Sequence, residues 1–162
     1  MITSKTVNET ANDKTQDMLA NKPMWLCTFV NNYQQLSTDN LHLLTEIYHQ
    51  DITFIDPIHT VEGITGLQAY FARLYTNIQA CDFVINDIIA APNQAAVYWE
   101  MHYQHPKLNK GKIVSVTGSS HLKAQDNKVI YHQDYLDVGT MLYEQLPVVG
   151  RFIRWIKARA AS

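Results

Sequence analysis

Charge is scarce in this chain. Asp, Glu, Lys and Arg make up 17% of its 162 residues, where about a quarter is usual. They leave a formal net charge of −2. Without a basic excess there is nothing to displace counterions from a phosphate backbone, so nucleic acid is not expected as a partner. Cysteine is nearly absent: Cys27 and Cys81 form neither a CxxC pair nor a zinc-ligand spacing, and so few thiols suit a reducing compartment. No apolar run reaches the length of a membrane-spanning helix, and residues 1–20 lack an apolar signal core, so a cytoplasmic location is expected. A glycine-rich phosphate loop, a nucleophile elbow and a dinucleotide fingerprint are all missing, and no cofactor is expected. The 7 histidines raise a metal reading, because Asp56 with His59 and His132 with Asp134 supply two imidazoles beside carboxylates. No His-Glu-x-x-His spacing supports it, His102 and His105 fall on opposite strand faces, and His49 is placed at a helix end. A metal site is not expected.

Apolar and aromatic surface is abundant. Hydrophobic residues reach 46% and aromatics 10%, with 9 Tyr and 3 Trp, so much of the buried surface should be aromatic with polar handles. The length suits one domain with its own core. Residues 1–21 are polar and read as an arm, disordered or loosely docked. Residues 22–139 read as the domain, and 140–162 as a C-terminal extension. Pro23 suits the first position of a helix whose stripe is Trp25, Phe29, Tyr33 and Leu36. Asp39 can cap a second helix over residues 40–49. Residues 52–75 organise the rest: a strand through Ile52, Phe54 and Asp56 runs into Pro57, then a polar turn. A third helix follows, capped by a Thr65–Gln68 box and carrying Leu67, Tyr70, Phe71 and Leu74. From Asp82 the pattern alternates, and residues 82–91, 95–105, 112–124 and 128–137 read as four strands. Pro92-Asn93, Asn109-Lys110-Gly111 and Asp126-Asn127 supply the turns. Helices first and a strand meander afterwards predict an α+β fold, with helices on one face of a curved antiparallel sheet.

These elements, with Phe-Ile-Asp-Pro at 54–57 and a Gly-x-x-Gly turn at Gly63 and Gly66, resemble the nuclear transport factor 2-like superfamily. More narrowly the chain is similar to the SnoaL-like branch, which includes polyketide cyclases and has ketosteroid isomerases as cousins. The likeness spans roughly residues 25–139. It implies a cone of curved sheet, with a mixed edge, closed by three helices around a hydrophobic pocket, and a homodimer formed through the sheet's outer face. Asp56 matches the aspartate before proline that is the isomerase base. His132-Gln133-Asp134 matches the His-x-Asp of SnoaL-like proteins, whose aspartate is the base in polyketide cyclases. The isomerase's second acid falls at or near Ser120, and its helix-one tyrosine falls on Asn32, one residue short of Tyr33.

Strand periodicity puts Ile130, His132, Asp134 and Leu136 on one face and Tyr131, Gln133 and Tyr135 on the other. A carboxylate in an apolar pocket is pushed towards the range useful for proton transfer, and two such acids repel. The candidate catalytic set is therefore Asp134 or Asp56 as base, with His132 and Tyr33 donating to a developing oxyanion. Trp25, Phe54, His59, Trp99, Met101 and Ser120 are the candidate pocket residues. The plainer readings are that Asp56 closes a turn through its own side chain, that His132 orients Asp134 or sits satisfied in the core, and that Tyr33 is core. The expected function is to bind a small, mostly apolar molecule bearing a carbonyl or hydroxyl, with isomerase, cyclase or dehydratase chemistry. The alternatives are a non-catalytic binding or interaction module, or a structural dimer with a filled core. From Pro147, Val149, Phe152, Ile153 and Ile156 make an apolar stripe, with Arg151, Arg154 and Lys157 around it and Trp155 at its border. Packing over the pocket mouth or against a second subunit is favoured for this segment over contact with an anionic membrane surface.

Overall fold

The computed structural model describes residues 14–160 and has the α+β architecture expected. After Pro23, helix α1 (Met24–Tyr33) buries Trp25, Leu26, Phe29 and Val30. The second helix is much shorter than the pattern predicted. Asn40, not Asp39, closes the cap by accepting from the Ser37 amide at 2.7 Å. A 3₁₀ turn (Thr38–Leu43) then runs into a single turn, α2 (Leu44–Ile47). Tyr48 is already extended, because residues from here pair with distant strands, and that pairing overrides a short helical stripe. His49 consequently sits on a strand and not at a helix end. Strand β1 (Tyr48–Ile55) forms a hairpin with β2 (Thr60–Glu62) and leads to α3 (Ile64–Thr76). The expected Thr65–Gln68 box is not the cap. Gly63, at φ 75°, turns the chain into the helix and its amide bonds Ile52 O, so Thr65 already lies in the first turn.

Four long strands follow: β3 (Ala80–Ala91), β4 (Gln94–Gln104), β5 (Val114–Gln125) and β6 (Lys128–Leu136). Asp126 and Asn127 both take positive φ in the β5–β6 turn, the geometry that matches strand twist in a two-residue hairpin. The sheet order is β2-β1-β6-β5-β4-β3, antiparallel except where β1 meets β6 in parallel. Irregularities after Ile85 and Lys123 bend this open sheet. The first lets Ile85 and Ile88 both face inward, opposite Trp99 and Val97. The second leaves Ile130 without a partner on β5, so the buried residue here is Val129. Ile130 therefore does not share the inner face with His132, as alternation had predicted.

Where it is described, the N-terminal arm is docked on the domain, the second of the two states expected of it. Residues 14–19 are helical, and Leu19 is buried against the core, because its side chain finds apolar surface on the domain. Residues 1–13 of the expected arm lie outside the described residues. At the other end come α4 (Val138–Met141), a turn (Tyr143–Gln145) and α5 (Pro147–Ala160). Asp137 caps α4 through the Thr140 amide and holds Lys157 of α5 at 2.8 Å. The Lys157 ammonium and the Thr140 donors pull the Asp137 carboxyl down from 3.8 to about 2. A depressed carboxyl supports the fold above its unfolded value and loses that support as pH falls through its folded one. The α5 tether should therefore hold at neutral pH and let go between pH 3.8 and about 2. The Trp155 indole NMR signal would follow this, and Asp137→Asn should show the acid-state signal at neutral pH. A signal that does not move in either experiment would show that the ion pair does not hold the helix.

Candidate functional site

The inner face of the sheet and helices α1 and α3 leave a cavity of about 360 Å³, within the span usual for small-molecule sites. Its walls are mostly apolar and aromatic, with Phe54, Phe71, Phe83, Trp99, Met101 and Leu136 prominent among them. Exposed Ile58 and Leu74 lie at its rim, and Met141 and Leu142 close it from the C-terminal side. The Tyr103 hydroxyl donates to Met141 O, tying β4 to that closing segment.

Trp99 owes its position to Gly118, directly opposite on β5. A methyl group at Gly118 would stand 2.3 Å from the indole ring, so only glycine leaves room for it. Gly118→Ala should displace Trp99 into the cavity and lower stability by about 1–3 kcal/mol, the usual range for overpacking. Chemical denaturation would measure it, and an unchanged midpoint would mean the ring is not confined.

From Trp99 a chain of hydrogen bonds leads to the most informative acid. Trp99 Nε1 donates to Ser120 Oγ at 2.8 Å, and Ser120 Oγ donates to Asp134 Oδ1 at 2.6 Å. His132 Nε2 lies 2.8 Å from the same oxygen, and the Tyr48 hydroxyl lies 2.7 Å from His132 Nδ1. Burial, and then the charge of Asp134, pushes the Tyr48 phenol well above its ordinary value, so it stays protonated and can donate to Nδ1. That leaves Nε2–H to donate to Asp134. Asp134 Oδ1 is thus held from two sides. Oδ2 has no hydrogen-bond partner among the described residues, on a side chain that lines the cavity. Tyr33 lines the same cavity, and its hydroxyl is also without a partner among the described residues. Burial, reinforced by the Asp134 charge, raises the Tyr33 phenol well above its ordinary value, so it is a donor.

Asp56 reaches the cavity wall, but its oxygens are occupied. Oδ1 accepts from the Ile58 and His59 amides at 2.7 Å each, and Oδ2 accepts from the Tyr70 hydroxyl. The strand ends at Ile55, and Asp56 closes the turn before Pro57, the plainer of its two readings. Asp56 thus lines the cavity with each of its oxygens already accepting a hydrogen bond. His132 does not line the cavity: both ring nitrogens are engaged and the ring is wholly buried among Phe29, Tyr33, Tyr48 and Phe54. Phe54, Trp99 and Met101 line the cavity. Three expected lining residues do not. Ser120 is buried between Trp99 and Asp134, Trp25 donates its indole to Pro92 O in the β3–β4 turn, and His59 sits exposed in the β1–β2 turn. Among the described residues no three His, Cys, Asp or Glu side chains converge as a metal site requires. Cys81 lines the cavity, but burial, then Asp82, pushes its thiol to about 12, which removes it as a nucleophile.

Several partners escaped sequence reasoning. Tyr48 had been placed on a helix, so its bond to His132 was out of reach. Tyr70, on the apolar stripe of α3, gave no sign that it would close on Asp56. Ser120 was singled out only as the place of a missing acid, and its alternation with Gly118 and Leu122 on β5 is the signal that could have pointed to its contact with Asp134.

The family model of the SnoaL-like domain matches residues 30–132. The chain belongs to the SnoaL-like family. Solved structures agree on the fold. A Shewanella putrefaciens protein classed with the SnoaL-like polyketide cyclases is 21% identical, with 75% of this chain and 95% of that one covered at a TM-score of 0.64. A Catenulispora acidiphila protein with a ketosteroid isomerase-like fold, solved with trimethylamine, is 17% identical, with 78% and 96% covered at 0.66. TerC, co-crystallised with polyporic acid, is 12% identical, with 72% and 92% covered at 0.62. No curated protein matches the sequence. At these identities the SnoaL-like likeness is one of architecture, and activity has to be argued from the side chains.

Proposed function

We propose that the cavity binds a small, mostly apolar molecule bearing a carbonyl or hydroxyl, and that Asp134 removes a proton beside that carbonyl. One observation carries this reading: Oδ1 of Asp134 is fixed by Ser120 and His132, while Oδ2 has no hydrogen-bond partner among the described residues on a side chain that lines the cavity. A base must be oriented and yet have an open lone pair, and this carboxylate meets both conditions. Tyr33, a protonated phenol on the same wall, would donate to the enolate oxygen as charge develops there. The enolate would then take the proton back from Asp134 at another carbon (isomerisation), add to a second carbonyl whose oxygen takes that proton (aldol-type cyclisation), or expel a β-hydroxyl that leaves with it as water (dehydration). The name of the polyketide cyclase-like relative and the ligand in the TerC crystals favour this class of small molecule.

The occupied oxygens of Asp56 favour a second reading, a binding module without turnover, because they leave one free acid where a two-acid site would have two. The experiment is deuterium uptake at the α-carbon of a panel of apolar ketones and 1,3-diketones in heavy water, followed by NMR. It needs no knowledge of the product. Catalysed exchange supports the base. Saturable binding of panel members without exchange supports the binding module, and neither result would sink both readings.

For assembly, the outer face of the sheet exposes Ile89, Tyr98 and Tyr135, which fall on the same side of β3, β4 and β6. An apolar patch of this kind suits an isologous homodimer.

A further inference from the structure

Helix α5 is docked with its polar side towards the domain. Lys157 reaches back to Asp137 and Glu144 at 2.8 and 2.6 Å, and Arg154 donates to Glu144 O at 3.2 Å. Gly150 lies so close to that turn that a Cβ would stand 2.3 Å from Glu144 O. These three residues occupy one side of the helix. The opposite side holds Val148, Val149, Phe152, Trp155 and Ile156, and all five are exposed, Val148 at 72%, Phe152 at 59% and Trp155 at 57%. The rings of Phe152 and Trp155 stack at 5.9 Å, forming one aromatic plate. An amphipathic helix ordinarily buries its apolar face. This one is held with that face turned out, by two charged side chains and a glycine contact, and none of its residues lines the cavity. Of the two packings expected for this segment, over the cavity mouth or against a second subunit, the first finds no α5 residue in the cavity wall.

We propose that α5 seats the protein on an anionic phospholipid bilayer. Charge selects this occupant. Lys157 is neutralised by Asp137 and Glu144, but the exposed Arg151 and Arg154 have no carboxylate partner among the described residues, and the helix itself carries no acidic residue. Pairing α5 with α5 of a second copy would bring these cations together, whereas an anionic headgroup layer neutralises them. The outer sheet face is a separate apolar surface that already suits a homodimer. A plate of Phe and Trp beside arginines is the composition that settles at the headgroup level, with rings among the first acyl carbons. Among the described residues no helix is long and apolar enough to cross a membrane, so the proposed contact is peripheral. The segment leading into α5 contributes Met141 and Leu142 to the cavity wall, which places that wall next to the seated helix in the chain.

The test uses the full chain with vesicles of phosphatidylcholine alone, or with roughly a third phosphatidylglycerol. The intact protein should float with the anionic vesicles and not the neutral ones, and added salt should release it. Trp25 and Trp99 are buried, so a blue shift of tryptophan emission on binding would report Trp155. Phe152→Ser with Trp155→Ser removes only exposed rings, and it should weaken binding by roughly tenfold or more while the thermal melt stays put. Equal binding to neutral vesicles, no binding to either, or an unchanged double variant would each overturn the proposal. So would self-association of the intact protein, lost in the double variant without any vesicle binding, which would assign α5 to a second copy.

Discussion

Asp134→Asn should leave the protein folded and lower α-proton exchange by about a hundred- to ten-thousand-fold, the range for removing a general base. The substitution is well suited to the site because the hydrogen bonds dictate how the amide lies. Ser120 Oγ and His132 Nε2 both donate to Oδ1, so the Asn carbonyl oxygen must take that place. The amide nitrogen then takes the place of Oδ2, which has no hydrogen-bond partner among the described residues. Turned over, the amide would set its own N–H groups against two donors. The variant therefore keeps the shape and loses only the lone pair that abstracts the proton. Ligand affinity, measured by calorimetry with whichever ketone exchanges fastest, should change far less than the exchange rate. If exchange persists within a few-fold of the parent, Asp134 is not the base, however well it is placed.

The position of Asp134 was legible because strand periodicity is a local property. Alternation from His132 to Leu136 runs through no irregularity, and both residues lie on the inner side as expected. Two residues earlier the same rule fails at Ile130, where the bulge opposite Lys123 shifts the face by one. A bulge has no strong signature in a single sequence, and one residue is enough to exchange inside for outside. Tyr48 was misplaced for a different reason. Leu41, Leu44 and Ile47 carry helical spacing, and nothing local shows that the next residue will be drawn into a strand by β6, some eighty positions away. For Asp56 the turn, the alternative to its reading as a base, was legible because an aspartate before proline carries its turn chemistry with it. The C-terminal helix illustrates the opposite limit. Its stripe was visible, but which side it would turn to the domain depends on Asp137, Glu144 and Gly150, and no periodicity encodes those contacts.

Removing the ring that holds Asp134 should have the largest effect on stability. His132 has no exposed surface, and the ring fills a box of four aromatic side chains. His132→Ala empties that box and strips a partner from the Tyr48 hydroxyl and from Asp134 Oδ1 at once. The cavity and the unpaired polar groups together should lower stability by about 3–5 kcal/mol. For a domain of this size that is a fall of roughly ten degrees or more in melting temperature. The two causes separate in His132→Phe, which restores most of the volume but neither hydrogen bond. Phe should recover part of the loss and still fall short of the parent by about 1–3 kcal/mol, the penalty for polar groups stranded in a dry core. Tyr48→Phe is the complementary probe, since it removes the donor to Nδ1 and leaves packing intact. If His132→Phe matched the parent in denaturant midpoint, the imidazole would be acting as filler, and the bonds to Tyr48 and Asp134 would add nothing to the fold. A deficit in both His132→Phe and Tyr48→Phe, each smaller than that of His132→Ala, would establish the chain from Tyr48 through His132 as what keeps the Asp134 carboxylate facing one way.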